Sequence, residues 1–187
     1  MKIFFDTEFT GLHKRTTLVS VGLIAENGEK IYAELNDYDE AQVDDWLKTN
    51  VIDKLLHNNE AEWGIPDSYH YGNSESVREA ILSWINRFEQ VEWVSDVCHY
   101  DFVLLIDLLY GHALNMPYGQ HNAACHDINQ DIAKYFGISE ISAFDMSREQ
   151  ILENSNIQIK GVKHTALYDA EVIKAIYGIV SNTTEVL

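Results

Sequence analysis

The chemistry open to this sequence rests on five residues. Asp6 and Glu8 stand two apart in Phe5-Asp6-Thr7-Glu8-Phe9, Asp101 opens an apolar run, and His164 and Asp169 lie in His164-Thr165-Ala166-Leu167-Tyr168-Asp169-Ala170. On a strand, residues two apart share a face, so the carboxylates of Asp6 and Glu8 converge on one spot. Such a pair repels unless a cation lies between its members, and an all-oxygen ligand set suits Mg²⁺ or Mn²⁺. A histidine titrates near neutrality and can take a proton from water. The combination points to metal-assisted hydrolysis. An Asp-x-Glu is common by chance; what gives this one weight is Phe4, Phe5 and Phe9, which place the pair on a strand at a core edge.

These side chains need a scaffold. The spacing predicts a first strand from Lys2 to about Glu8, a second over 18–25 and a third over 31–35, the last two joined by the Asn27-Gly28 turn. Helical periodicity runs from Glu40 to Leu56 and again from Val77 to Phe88 behind a cap at Ser74 or Ser76. A fourth strand is expected over 91–97 and a buried helix over 101–110, ended by Gly111. Further helices are expected over 128–136, 148–152 and 165–177. Ala166 and Ala170 keep the last of these slim where it must pack against a sheet. Strands first, then helices alternating with further strands, predict an α/β fold: a mixed sheet of a three-stranded antiparallel meander plus parallel strands, with helices on both faces.

The 187 residues fit a single domain spanning 1–187, with neither repeats nor low-complexity stretches. No signal-like or membrane-spanning apolar run is present, and two cysteines are too few for a disulfide framework; the expectation is a soluble, cytoplasmic protein. Cys98-His99 and Cys125-His126 lack the spacing of a zinc site and read as buried free thiols with ordinary neighbours. Thirteen basic against thirty acidic residues leave a formal charge of −17, the opposite of an extended nucleic-acid footprint. Between Glu34 and Glu62, nine acids face only Lys48 and Lys54. An enzyme that grips a few nucleotides through metal ions is compatible with this balance, because the cations bring local positive charge.

The four acids and the histidine, in this order, resemble the three motifs of the DEDD exonucleases in their histidine-containing branch, DEDDh, within the RNase H-like superfamily. Phe5 to Leu12 looks like the first motif, Tyr100-Asp101-Phe102 the second, and His164-x-Ala166-x-x-Asp169-Ala170 the third. Leu18 to Leu23 is similar to the second strand of that fold. The likeness extends from Lys2 to Tyr177 and is greatest to small stand-alone bacterial exoribonucleases related to RNase T, on Tyr/Phe-Asp-Thr-Glu-Phe, Ala25-Glu26-Asn27-Gly28 and Val51-x-x-Lys54-Leu55. One departure is Val97, where many relatives carry an asparagine. Asp96, and more weakly Asp107, compete with Asp101 for the second-motif role.

The resemblance implies a 3′–5′ exonuclease with two divalent ions, Mg²⁺ or Mn²⁺. Asp6 would bridge them, Glu8 and Asp169 would complete one shell, and Asp101 would hold the other. His164 would be the general base, and nucleoside 5′-monophosphates the product. Leu12 and Phe102 are candidates to pack on bases, Thr10 and Gly11 to meet the 3′-hydroxyl, and Lys163, Lys160, Lys14 and Arg15 to hold phosphates. The partner is a single-stranded RNA or DNA 3′ end, with RNA favoured; a homodimer is an expectation from similar enzymes. The competing readings are the same chemistry on single-stranded DNA, and a catalytically silent nucleic-acid-binding protein of the same fold.

Overall fold

A computed structural model describes residues 1–58, 66, 68–117 and 119–181, apart from the side chain of Asn122. Glu60 and Glu62 of the acidic stretch lie outside these residues. The sheet has six strands in the order β4-β3-β2-β1-β5-β6. They are β1 (Lys2–Phe9), β2 (Leu18–Ala25), β3 (Lys30–Leu35), β4 (Tyr69–Gly72), β5 (Val91–Ser95) and β6 (His121–Asp127). The first three form an antiparallel meander, while β4 joins β3, β5 joins β1 and β6 joins β5 in parallel. The mixed α/β architecture expected from the sequence is the one observed. Its two edge strands were not expected, because Tyr-His-Tyr-Gly and His-Asn-Ala-Ala-Cys-His-Asp carry no apolar run.

Helices cover both faces. On one lie α2 (Ser74–Ile85) and α3 (His99–Tyr110), closing a core with Ile3, Phe5, Val21, Leu23 and Trp93. The opposite face carries α4 (Ile128–Phe136), α5 (Glu140–Phe144), α6 (Arg148–Asn154) and α7 (Ala166–Ser181), whose apolar residues meet Phe4 and Val94. The alternation along β1 therefore sends Ile3 and Phe5 to one core and Phe4 to the other. No helix among the described residues is long and apolar enough to cross a membrane.

Two elements depart from their sequence expectation. The helix expected from Glu40 to Leu56 is broken into a 3₁₀ turn (Glu40–Gln42), a six-residue helix α1 (Asp45–Asn50) and 3₁₀ turns at Ile52–Lys54 and Leu56–Asn58. Asp39 caps the first turn and Asp44 starts the next, each carboxylate accepting a backbone N–H ahead of it, from Ala41 and Leu47, while the later break at Val51 has no side-chain cap. Trp46 consequently points outward, 57% exposed, and the segment docks through Val51 and Leu55 on Val19. Helix α2 is capped by Asn73, whose side chain accepts from Ser76 N, in place of Ser74 or Ser76.

A close backbone approach joins β2 to the start of α7. A Cβ on Gly22 would run into the backbone of Ala166 and Leu167, so only glycine lets that helix turn lie flat on the strand. Ala166 and Ala170, both fully buried, make the matching concession on the helix. Gly22→Ala is expected to lower the unfolding free energy by about 1–3 kcal/mol, read from urea denaturation, because overpacking here must push α7 off the sheet.

Candidate active site

Asp6 and Glu8 project from the C-terminal half of β1 on the face that α7 covers. There the strand runs on past its neighbour: β1 pairs with β5 only through Lys2, Ile3 and Phe4, which leaves the edge from Asp6 onward open. A register irregularity at Glu8/Phe9 in the pairing with β2 turns the strand end further. Asp169 enters from the first turn of α7. One carboxylate oxygen from each of Asp6, Glu8 and Asp169 lies within 4.8 Å of the others.

Asp101 closes the open edge from the opposite helical layer. It sits in the first turn of α3, is 8% exposed, and its Oδ1 accepts both the Thr7 backbone N–H at 3.0 Å and the Thr7 hydroxyl at 2.6 Å. The strand N–H that β5 would have taken in a longer ladder is thus satisfied by a carboxylate. Asp101 also adds to the negative field at both Asp6 and Glu8.

The charge consequences are severe. Burial, then the fields of Asp101, Asp169 and Glu8, hold the Asp6 carboxyl well above the usual carboxylate range. Burial first, then Asp169 and Asp101, push Glu8 up to about 8, against a smaller opposing pull from Lys54. Asp169 is pushed up to about 7 by burial, with Lys163 partly offsetting it. Crowded carboxylates of this kind need protons or a cation to coexist. The donor set fits a hard divalent ion: three carboxylates converge, and no ammonium or guanidinium among the described residues lies within ion-pair distance of them.

Solved structures of known proteins share this arrangement of elements. The structure of a 3′-exonuclease recognising the 3′ end of a histone mRNA stem-loop superposes with a TM-score of 0.68 over 98% of this chain and 64% of that one, at 10% identity. The nuclease domain of 3′hExo, a DEDDh family member bound to rAMP, gives 0.64 over 99% and 92%, at 11% identity. The chain shares the fold of these exonucleases. Pop2p of S. pombe, in its Mg²⁺- and Mn²⁺-bound form, gives 0.60 over 97% and 83%, at 16% identity. In sequence, a 3′–5′ exoribonuclease of Mycobacterium tuberculosis is 36% identical over 55 residues, which span 29% of this chain and 33% of that protein. No family model matches the chain.

Within this fold, the competitors of Asp101 have other engagements. Asp96 is clamped by Arg148, with Nε at 2.6 Å and a second guanidinium nitrogen at 2.9 Å, and it accepts from Asn129 Nδ2 at 2.7 Å. That cluster ties β5 to α4 and α6. Asp107 lies exposed two turns further along α3. Between Asp96 and Asp101 the chain makes a left-handed turn at Val97, φ 53°, which strains a β-branched residue and suits asparagine. The departure from the family pattern at this position thus carries a backbone penalty. Val97→Asn is expected to raise stability by about 1 kcal/mol in urea unfolding, since a side chain already 37% exposed gives up little burial.

His164 precedes α7 with φ 62°, and its backbone N–H reaches back to Asp169. Its ring packs edge-on against Trp46, centroids 5.9 Å apart. Partial burial, then Lys54 and Lys163, hold the imidazole below its ordinary value. Thr10 is buried and its hydroxyl bonds Gln42 Oε1 at 2.7 Å; Gly11 N–H donates to Thr16 Oγ1 at 3.0 Å. Leu12 stands free at 74% exposure.

The structure corrects one of the expected base-packing residues. Phe102 is 8% exposed and packs on Phe5 and Trp93 in the core, because the first turn of α3 turns that side of the helix to the sheet. The aromatic that reaches the surface is its neighbour Tyr100, stacked on Phe9 with centroids 5.8 Å apart. Lys163 is held by Glu149 in an ion pair, whereas Lys14, Arg15 and Lys160 are exposed and make no ion pair among the described residues. The His126–Asp131 pair, which repeats the spacing of His164 and Asp169, is an ordinary surface ion pair between β6 and α4.

Raised carboxyl values make a signed prediction. In the unfolded chain these groups lose their protons near pH 4, but in the folded, cation-free protein Glu8 and Asp169 hold theirs to about 8 and about 7. Folded protein therefore binds more protons than unfolded across that window, and stability falls as pH rises through it. Melting in EDTA should show Tm dropping from about pH 5 to about pH 8, and Mn²⁺ should raise Tm more at the upper value. Asp6→Asn should flatten both trends; identical pH slopes for the two proteins would contradict this account.

Proposed function

We propose that this chain is a divalent-metal-dependent 3′–5′ exonuclease that removes nucleotides from the 3′ end of single-stranded RNA. The observation that carries the reading is the convergence of Asp6, Glu8 and Asp169 within 4.8 Å beside Asp101 at the open end of β1. The name of the mycobacterial relative and the nucleotide in the 3′hExo structure favour RNA. The metal-bound form of Pop2p supports Mg²⁺ or Mn²⁺ as the cofactor.

Asp6, Glu8 and Asp169 would hold the cations, two in our reading, with Asp101 serving the second. The ions supply neutralisation of the phosphodiester and acidification of the attacking water. Everything else is done by this chain's side chains. His164, held below its ordinary value and without a carboxylate partner among the described ion pairs, takes the proton of the attacking water. Its placement beside Trp46 fixes the ring and shields it on one side. Leu12 and the Phe9–Tyr100 stack offer apolar faces for the terminal bases. Thr10 and Gly11 shape the backbone that would meet the 3′-hydroxyl, and Lys163 would have to leave Glu149 to hold a phosphate. The product is a nucleoside 5′-monophosphate.

The test is a 5′-labelled RNA oligonucleotide and its DNA counterpart, each incubated with Mg²⁺, Mn²⁺ or EDTA. A ladder shortening from the 3′ end of RNA, requiring metal and absent in Asp6→Ala, is the expected result. No degradation of either polymer would sink the reading, and faster degradation of DNA would move the substrate class. His164→Ala should keep Mn²⁺ binding and lose turnover by about 10²–10⁴-fold. Asp101→Asn should be severely impaired, while Asp96→Asn should lose stability more than turnover.

A further inference from the structure

The 39–58 segment forms one wall of the site. Gln42 bonds Thr10, Trp46 packs on His164, and Lys54 reaches across to the loop before α7, where its Nζ donates to the Lys163 carbonyl at 3.2 Å. Its ammonium lies close enough to Glu8 and His164 to oppose the rise in one and depress the other.

The wall is pinned from below by a buried carboxylate. Glu34, fully inaccessible on β3, accepts from Leu56 N at 2.5 Å, His57 N at 3.2 Å and Tyr69 Oη at 2.7 Å, and pairs with His57 Nδ1 at 2.8 Å. Three of these bonds hold the Leu56–Asn58 turn, which follows directly on the turn that carries Lys54, and the fourth ties it to β4. A long flexible side chain is thus delivered to the site from a rigid base.

What Lys54 does there follows from its partners. It is half-buried, with no carboxylate within ion-pair distance among the described residues. The neighbouring Lys163 is already neutralised by Glu149. An ammonium has three donors, and one bond to a carbonyl leaves the others for an anion. On a chain of formal charge −17, a partly desolvated and unpaired cation beside a carboxylate cluster is placed for an anion that arrives with the substrate.

We propose that Lys54 is a substrate-binding residue that takes a phosphate oxygen of the 3′-terminal nucleotides at the rim of the Asp6–Glu8–Asp169 cluster. The proposal rests on the exonuclease reading above and adds a residue to it. It makes a signed distinction. A cation that merely steadied the carboxylates would be lost with lower stability and RNA binding unchanged. A phosphate-binding cation that opposes the metals electrostatically would be lost with metal binding unchanged or tighter, and only RNA binding weaker.

The experiment compares wild type, Lys54→Ala, Lys54→Arg and the distant surface control Lys134→Ala. Binding of a 5′-fluorescein single-stranded RNA decamer is followed by anisotropy in EDTA, together with Mn²⁺ titration, Tm, and KM and kcat for the same oligonucleotide in Mn²⁺. We expect Lys54→Ala to raise Kd and KM about tenfold, the loss of one charge-assisted contact. Its dependence of log Kd on log salt should flatten by about 0.7, as for one phosphate contact on a single strand. Mn²⁺ affinity should not weaken, Lys54→Arg should restore most of the binding, and Lys134→Ala should match wild type. Kd and KM within twofold of wild type would overturn the proposal, as would parallel losses of Mn²⁺ affinity and Tm. A wild-type protein that degrades RNA while Lys54→Ala does so equally well refutes only the role of Lys54. A wild type that neither binds nor degrades RNA refutes both readings.

Discussion

Three carboxylates crowded into 4.8 Å repel one another at every pH where they are charged, and the architecture around them is what keeps them there. Strand β1 cannot relax, because β2 pairs along its whole length and β5 along its first half. Helix α7 cannot withdraw, because its first turn is seated on Gly22 and its later turns are buried against Phe4. The repulsion is therefore relieved by titration or by a cation. The same frame explains Asp101: where β5 ends, a strand N–H needs an acceptor, and a fourth carboxylate provides it from the other face. Structural satisfaction of the backbone and accumulation of negative charge are here one interaction.

How much of this the sequence revealed depends on whether the signal was local. The period of two in β1 made Asp6 and Glu8 legible as neighbours on one face, and the order of the motifs brought His164 and Asp169 toward them. The meander was legible from Leu18 to Leu35 because of its apolar runs and the Asn27-Gly28 turn. The edge strands β4 and β6 were not, since Tyr69–Gly72 and His121–Asp127 owe their extended state to partners in the sheet rather than to composition. Phe102 and Tyr100 were legible as aromatics beside Asp101, but which of them faces the core depends on how α3 is rotated against Phe5 and Trp93. That Asp96 is engaged elsewhere was not legible, because its partner Arg148 lies some fifty residues away in the chain.

The 39–58 segment shows the same limit from the other side. Its apolar spacing reads as one amphipathic helix, yet Asp44 starts a new turn within it and the chain breaks again at Val51 with no side-chain cap. Broken into short turns, the segment bends around Val19 and exposes Trp46 and Lys54 to the site instead of burying a continuous face. Its anchor, Glu34, would pass in the sequence for a surface acid. Only the three-dimensional pairing with His57, Tyr69 and two backbone N–H groups makes it a fully buried one. Residues outside the motifs were invisible because their roles are set by what they hold.

The charge of −17 then takes on a definite meaning. Beyond a Debye length of about 8 Å at physiological salt, most surface acids are screened from the site, so what a substrate meets is set locally. Locally the balance is four carboxylates against Lys54 and a Lys163 already paired. Such a site can retain the phosphates next to the cleaved bond. Outside it, an acidic surface repels the rest of a polyanion. On the exonuclease reading proposed above, the physical expectation is a short contact with the strand and a shallow salt dependence.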